Sequence, residues 1–236
     1  VEKLKDSIIS HDGKIYTSQP ISSINYLESK QSVVLKKNGK DEFFDAALLT
    51  VPSNVASSIL KDSISQDSKY LNTLMGTKYL DAAVIVFVSD QKISNYYWHN
   101  INDDSEFVVF LSLTALIGTD SFKGKHIYYI GDYMTSQNEN MHIDKEMLMK
   151  KWFNQLKLFF PHFDESLVLE KHLFRFKNAQ HIVDIGYEEK IPSMITPCKN
   201  VFLSNFSQIF PMDRGTNYAV GEGIKASELI ASKLSN

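Results

Sequence analysis

The chain has 236 residues, enough to bury a sizeable core as one large domain or two modest ones. With 43% hydrophobic and 22% charged residues its composition is that of an ordinary globular protein, and a formal charge of -3 leaves no basic footprint for nucleic acid. Only two of its basic residues are arginines, Arg175 and Arg214, too few forked donors for a surface that reads polyphosphates.

Residues 1–9 read as the end of a helix with Leu4, Ile8 and Ile9 facing inward, and His11-Asp12-Gly13 reads as a turn. Strand-like pieces follow at 14–19, 21–27 and 32–37. Asn38-Gly39 is a strong hairpin signal, because both residue types tolerate the positive φ that a two-residue turn requires. It delivers the chain into an apolar strand over 43–50, which Pro52 stops, and Ser53 is placed to cap a short helix through Leu60. A polar helix is expected around 67–76, followed by strands at 80–89, 107–114 and 126–132. Asp144 can cap a long helix to Phe160, whose stripe Leu148, Trp152, Leu156 and Phe160 follows the four-residue step of one helix face. Pro161 ends it, and 168–177 reads as another strand.

The last third reads as a buried strand, a loop of polar and turn-forming residues, and a small-residue helix from Asn217 to about Leu234. Gly221 and Gly223 inside that helix cost about 1 kcal/mol each relative to alanine, so the backbone there is expected to lie close to a strand or a ligand. Strands joined by short turns outnumber long helices, which points to a mixed α+β architecture.

Other chemistries find little support. The seven histidines include no pair at a helical metal spacing and none beside a cysteine. No Gly-x-Ser-x-Gly elbow is present. Cys198, the single cysteine, excludes an internal disulfide, suits a reducing cytoplasm, and reads as a small core residue rather than a nucleophile. No apolar run approaches the roughly 20 residues of a membrane helix, and no signal-peptide pattern opens the chain. The first residue is Val1, as expected of a fragment.

The closing run, Asn200-Val201-Phe202-Leu203-Ser204-Asn205 through Gly215-Thr216-Asn217-Tyr218-Ala219, would present free backbone N–H groups and the positive end of a helix dipole to an anion or electron-rich ring. It resembles the segment that lies against FAD in the flavin amine oxidase / protoporphyrinogen oxidase / phytoene desaturase superfamily. There the strand commonly ends in Gly-Asp or Gly-Glu; Ser204 and Asn205 stand at the matching positions, so an uncharged amide replaces the usual carboxylate. Gly215, Thr216 and Asn217 match the helix start, and Glu222-Gly223 occupies the matching Ser-Gly step. Asp213-Arg214 is expected to close a turn as a surface ion pair, which would contribute little.

Two more segments carry the resemblance. Ile21-Ser22-Ser23-Ile24 is similar to a Val-x-x-Ile pair whose backbone meets the adenine, and Asp45-Ala46-Ala47-Leu48-Leu49-Thr50-Val51-Pro52 is similar to the family's acidic residue, apolar strand and proline stop. The resemblance thus implies cofactor contacts at Ile21, Thr50, Pro52, Ser204, Asn205, Gly215, Thr216 and Asn217. In the middle, Tyr97-Trp98-His99-Asn100-Ile101, Phe107-Val108-Val109 and Lys125 to Tyr133 look like the substrate domain of a bacterial branch of these enzymes. Their aromatic residues could wall a flavin-facing pocket, with plain core packing as the competing reading for each residue. The Gly-x-Gly-x-x-Gly turn that cradles the pyrophosphate in FAD-binding members is missing.

The resemblance implies an α+β fold: a mixed, largely antiparallel sheet of a substrate-binding domain with helices on one face (59–195), plus residual strands and the C-terminal helix of a partial FAD-binding domain (1–58 and 196–236). The expected protein is a cytoplasmic FAD-dependent oxidoreductase that passes a hydride from substrate to flavin when intact. FAD would be absent from this portion alone, whose missing partner is the N-terminal FAD-binding half. The substrate would be a small molecule, apolar or lipid- or sugar-linked; no metal, nucleic acid or transmembrane segment is expected, and no catalytic residue stands out. The rivals are a UDP-galactopyranose mutase-like flavin enzyme and a non-enzymatic ligand-binding or interaction domain.

Overall fold

A computed structural model describes residues 1–213 and 215–235, and the chain divides into two compact units, Val1–Thr77 with Val183–Asn236, and Lys78–Ile182. The fold is α+β with antiparallel sheets, as expected. The division differs from the sequence-based one, since 59–77 and 183–195 go with the first unit. The reason is packing: Leu60, Ile64 and Leu74 share one core with Ile24, Val33 and Leu203.

Helix α1 (Glu2–Ser10) buries none of its residues, so Leu4, Ile8 and Ile9 are exposed rather than inward-facing among the described residues. The turn at His11-Asp12-Gly13 forms, with Gly13 donating to the Ile8 carbonyl at 2.9 Å. Residues 14–20 form no strand; Ser18 sits at φ 56°, off the extended path, and Pro20 follows. Strands β1 (Ile21–Leu27), β2 (Ser32–Lys37) and β3 (Lys40–Phe44) make an antiparallel meander, its second turn formed by Asn38 and Gly39 at φ 50° and 76°. The expected single strand over 43–50 is two. At Asp45 the chain leaves the hairpin, and β4 (Ala47–Leu49) turns to run parallel to the segment Val201–Leu203. Asn200 fixes that corner: its amide donates to the Asp45 carbonyl at 3.0 Å, and its own carbonyl accepts from Ala47 N–H at 3.0 Å. Helix α2 (Ser53–Leu60) has Pro52, not Ser53, at the capping position. Helix α3 (Ser68–Gly76) is capped by Asp67, which accepts from Tyr70 N–H at 2.8 Å.

The second unit is a five-stranded antiparallel sheet, ordered β6-β7-β8-β5-β9. Its members are β5 (Tyr79–Ser89), β6 (Trp98–Asn100), β7 (Val109–Ser112), β8 (His126–Met134) and β9 (Val168–His181). The expected strand over 107–114 is shorter because Leu113–Ile117 coils into α4. Helix α5 (Lys145–Phe159) begins at Asp144, whose carboxylate accepts from Glu146 and Met147 N–H at 2.8 and 3.2 Å. Its stripe Leu148, Trp152, Phe153 and Leu156 packs on Ala83, Ile85, Phe87, Phe110, Tyr128 and Ile130. The Phe87 ring meets Phe153 edge-on at 5.1 Å and lies 5.1 Å from Tyr128. Because side chains alternate across a strand, Ala82, Val84, Tyr129 and Gly131 point to the other face.

Back in the first unit, β10 (Val201–Leu203) is fully buried beside β4 in parallel register, Val201 opposite Ala47 and Leu203 opposite Leu49. The last helix, α6 (Thr216–Leu234), buries only Ala226. A Cβ on Gly221 or Gly223 would meet nothing within 4 Å, so among the described residues no strand lies against them. Among the described residues no helix is long and apolar enough to cross a membrane.

Candidate functional site

Four of the eight residues expected at a cofactor converge at the carboxyl ends of β4 and β10. Thr50 and Pro52 follow β4, and Ser204 and Asn205 follow β10. Ser204 N–H donates to the Leu49 carbonyl at 2.9 Å, extending the parallel ladder by one step. Asn205 ties the two strand ends together: its amide donates to the Val51 carbonyl at 2.9 Å, and its Oδ1 accepts from Ser207 N–H at 2.9 Å and Ser207 Oγ at 2.6 Å. Its backbone N–H donates to Gln208 Oε1 at 2.8 Å, completing a reciprocal capping box. Buried Ser53 and Ser207 hydroxyls meet at 2.9 Å beneath it. Asn205 therefore holds the loop in shape with both ends of its side chain.

Gly215, Thr216 and Asn217 form a second group at the start of α6. Gly215 takes the capping position in extended conformation and, being glycine, supplies no side-chain cap to the first turn. A Cβ on Gly215 would sit 2.7 Å from Asn217 Oδ1, so the Asn217 side chain lies over that corner and only glycine leaves it room. Thr216 and Asn217 are exposed. Arg214, one half of the expected Asp213–Arg214 pair, lies outside the described residues. Ile21 stands apart, half-buried at the start of β1 opposite Lys37. Uncapped amides at a helix start, and crevices beyond the carboxyl ends of parallel strands, are suited to an anionic or electron-rich group. These residues thus fit contact with a flavin nucleotide.

The second unit holds a cavity of about 520 Å³ on the sheet face opposite α5. Its floor and walls come from alternate residues of four strands: Ala82 and Val84 of β5, Trp98 and Asn100 of β6, Val109 and Leu111 of β7, and Tyr129, Gly131 and Tyr133 of β8. Ile101, Asn102 and Val108 close one side. The size is that of a small-molecule site, which typically spans about 300–1,000 Å³. The aromatic segments singled out in the sequence divide by strand phase. Trp98, Tyr129 and Tyr133 face the cavity, whereas Phe107, Phe110 and Tyr128 are core. Ala82, Val84, Asn102 and Leu111 were not singled out; the alternation of their strands, once the sheet order is known, marks Ala82, Val84 and Leu111, whereas Asn102 lies in the loop after β6.

Asp132 also borders the cavity, yet it pairs with core-facing Ala83, which puts its side chain on the α5 face. Burial pushes its carboxyl up to about 6, with Glu106 adding to the rise and a backbone bond at Tyr133 opposing it. Burial likewise pushes the Cys198 thiol up, in keeping with a core residue and not a nucleophile. Among the described residues no cluster of His, Cys, Asp or Glu could hold a metal.

One unit thus carries a parallel strand pair and a glycine-capped helix start, and the other an apolar cavity on an antiparallel sheet. The chain belongs to the flavin-containing amine oxidoreductase family, whose model matches residues 1–227. A search of curated sequences returned no match. Among solved structures it is similar to a protoporphyrinogen oxidase-like protein of Exiguobacterium sp. 255-15, with a TM-score of 0.74 and 13% identity over 100% of this chain and 51% of that one. It is also similar to an oxidoreductase from Methanosarcina mazei (TM-score 0.62, 15% identity, 86% of this chain and 47% of that one). A third likeness is to reduced UDP-galactopyranose mutase (TM-score 0.60, 12% identity, 80% and 41%). The chain thus spans about half the length of these structures.

Proposed function

We propose that these residues supply the substrate-binding unit and part of the FAD-binding unit of an FAD-dependent oxidoreductase acting on a small, largely apolar molecule. When bound, the flavin would supply the redox chemistry, accepting a hydride from a C–N or C–C bond of the substrate. The first turn of α6, at Gly215, Thr216 and Asn217, would offer amide donors to it, and Thr50, Pro52 and Ser204 would shape the crevice beyond β4 and β10. Ile21 would contribute at the β1 hairpin, whereas Asn205 would act by fixing the loop. In the second unit the sheet face would hold the substrate and keep water from it.

The observation that carries this reading is the family match over residues 1–227, together with an α6 start whose capping residue, Gly215, has no side chain. The glycine turn for the pyrophosphate would come from outside these residues. Likeness to the mutase supports a second flavin reading, but among the described residues no Lys, Arg or His lines the cavity to hold a nucleotide diphosphate. The test is to purify the protein from the natural reading frame that encodes this sequence, denature it, and identify the released chromophore by chromatography. Stoichiometric FAD is expected; a colourless protein, or one releasing only FMN, would overturn the assignment.

A further inference from the structure

The cavity on the open sheet face has a distinctive chemistry. Among the described residues none that lines it is a lysine, arginine or histidine, and the one lining carboxylate, Asp132, is turned to the opposite face by strand alternation. Apart from that carboxylate, the side-chain polar atoms of these residues are amides, phenols and one indole N–H. One of these is already engaged, since Trp98 Nε1 donates to Asn100 Oδ1 at 2.7 Å, which holds the indole along the wall. A charged group taken from water into such a lining loses hydration and gains no counter-charge.

The floor has a second feature. Gly131 lies between Val84 and Val109 in the register of the sheet and is buried. A Cβ there would stand 3.2 Å from Val109 Cγ1 and 3.8 Å from Val84 Cγ2. Glycine in a strand interior weakens the strand, so its presence beneath a cavity lined by Trp98, Tyr129 and Tyr133 has a use: it deepens the floor between aromatic walls.

We propose that this cavity takes an uncharged, ring-bearing apolar ligand and rejects anions, with Gly131 setting its depth. The inference rests on reading the cavity as the substrate site, and it narrows the substrate class to molecules without phosphate or carboxylate at the buried end.

A matched pair of dyes tests it: neutral N-phenylnaphthylamine and its sulfonated twin, anilinonaphthalene sulfonate. Quenching of Trp98 localises binding, with Trp98→Phe as the control, because the other tryptophan, Trp152, is fully buried in the core. The neutral dye is expected to bind at least about tenfold tighter than the sulfonate, a difference of about 1.4 kcal/mol. Gly131→Leu should weaken the neutral dye at least about tenfold with far-UV circular dichroism unchanged. If that variant does not fold, Leu111→Arg carries the test, since a cation in the lining should reverse the preference toward the sulfonate. Equal or tighter sulfonate binding in the parent, unchanged dye binding in folded Gly131→Leu, or no reversal in Leu111→Arg would each overturn the inference. These measurements need no flavin, so their failure is distinct from a failure to find FAD.

Discussion

Replacing Asn205 with alanine isolates the tie between the two parallel strand ends. The substitution removes the acceptor for Ser207 N–H at 2.9 Å and for Ser207 Oγ at 2.6 Å, and the donor to the Val51 carbonyl at 2.9 Å. Loss of a capping side chain costs about 1 kcal/mol. A part-buried carbonyl left short of a donor adds about 1–2 kcal/mol. The bond from the residue's backbone N–H to Gln208 Oε1 does not depend on the side chain and should survive. The expected destabilisation is therefore about 2–3 kcal/mol, which at an urea dependence of about 1–3 kcal/mol/M moves the midpoint by about 1–2 M. Urea titration followed by far-UV circular dichroism reads this directly. Asn205→Asp is the informative companion: it keeps the acceptor, loses the donor, and sets a carboxylate beside the Val51 carbonyl. It should also be destabilised, even though the family commonly carries an acidic residue at this place. If alanine shifts stability by less than about 0.5 kcal/mol, or aspartate raises it, the structural role assigned to Asn205 is wrong.

Three other expectations follow from the geometry. The folded chain keeps the Asp132 proton up to about pH 6, above the unfolded value, so stability is fully present below the ordinary carboxylate range and falls as pH rises through 6. Asp132→Asn should flatten that fall and raise stability at neutral pH by roughly 1 kcal/mol, after discounting for its half-buried position; parallel pH profiles for the two proteins would contradict it. Phe87→Ala removes a ring packed against Tyr128, Phe153 and Phe163 and should cost about 3–5 kcal/mol in thermal or urea unfolding; a loss under about 1 kcal/mol would show that the core closes around the gap. These residues alone, mixed with FAD and passed through gel filtration, should emerge colourless, and a yellow stoichiometric complex would show that the site needs nothing more.

Local signals carried much of the fold. Asn38-Gly39 located the meander turn, the four-residue step of Leu148, Trp152 and Leu156 located α5, and Asp144 marked its first turn. What failed depended on tertiary partners. Leu4, Ile8 and Ile9 have the pattern of a buried face, but α1 buries nothing within the described residues. The apolar stretch over 43–50 looks continuous in sequence, and it breaks because β3 pairs with β2 and β4 with a strand some 150 residues later. For the candidate site, the family resemblance pointed to both strand ends and to the α6 start. Alternation alone could not show which aromatic residues line the cavity, because Tyr128 and Tyr129 have the same chemistry and differ only in which sheet face they occupy. Asn205 illustrates the remaining gap: its residue type allows a ligand contact, and only its neighbours reveal that the side chain is already engaged.

Hydrogen exchange at the Thr216, Asn217 and Tyr218 amides, compared between flavin-loaded and flavin-free forms of the natural protein, is the most direct test of the account. These N–H groups open α6 next to Gly215, which has no side chain to cap them, and they should exchange markedly more slowly when flavin is bound. A yellow protein whose α6 start exchanges at the same rate with and without flavin would contradict the claim that this helix start lies against the cofactor.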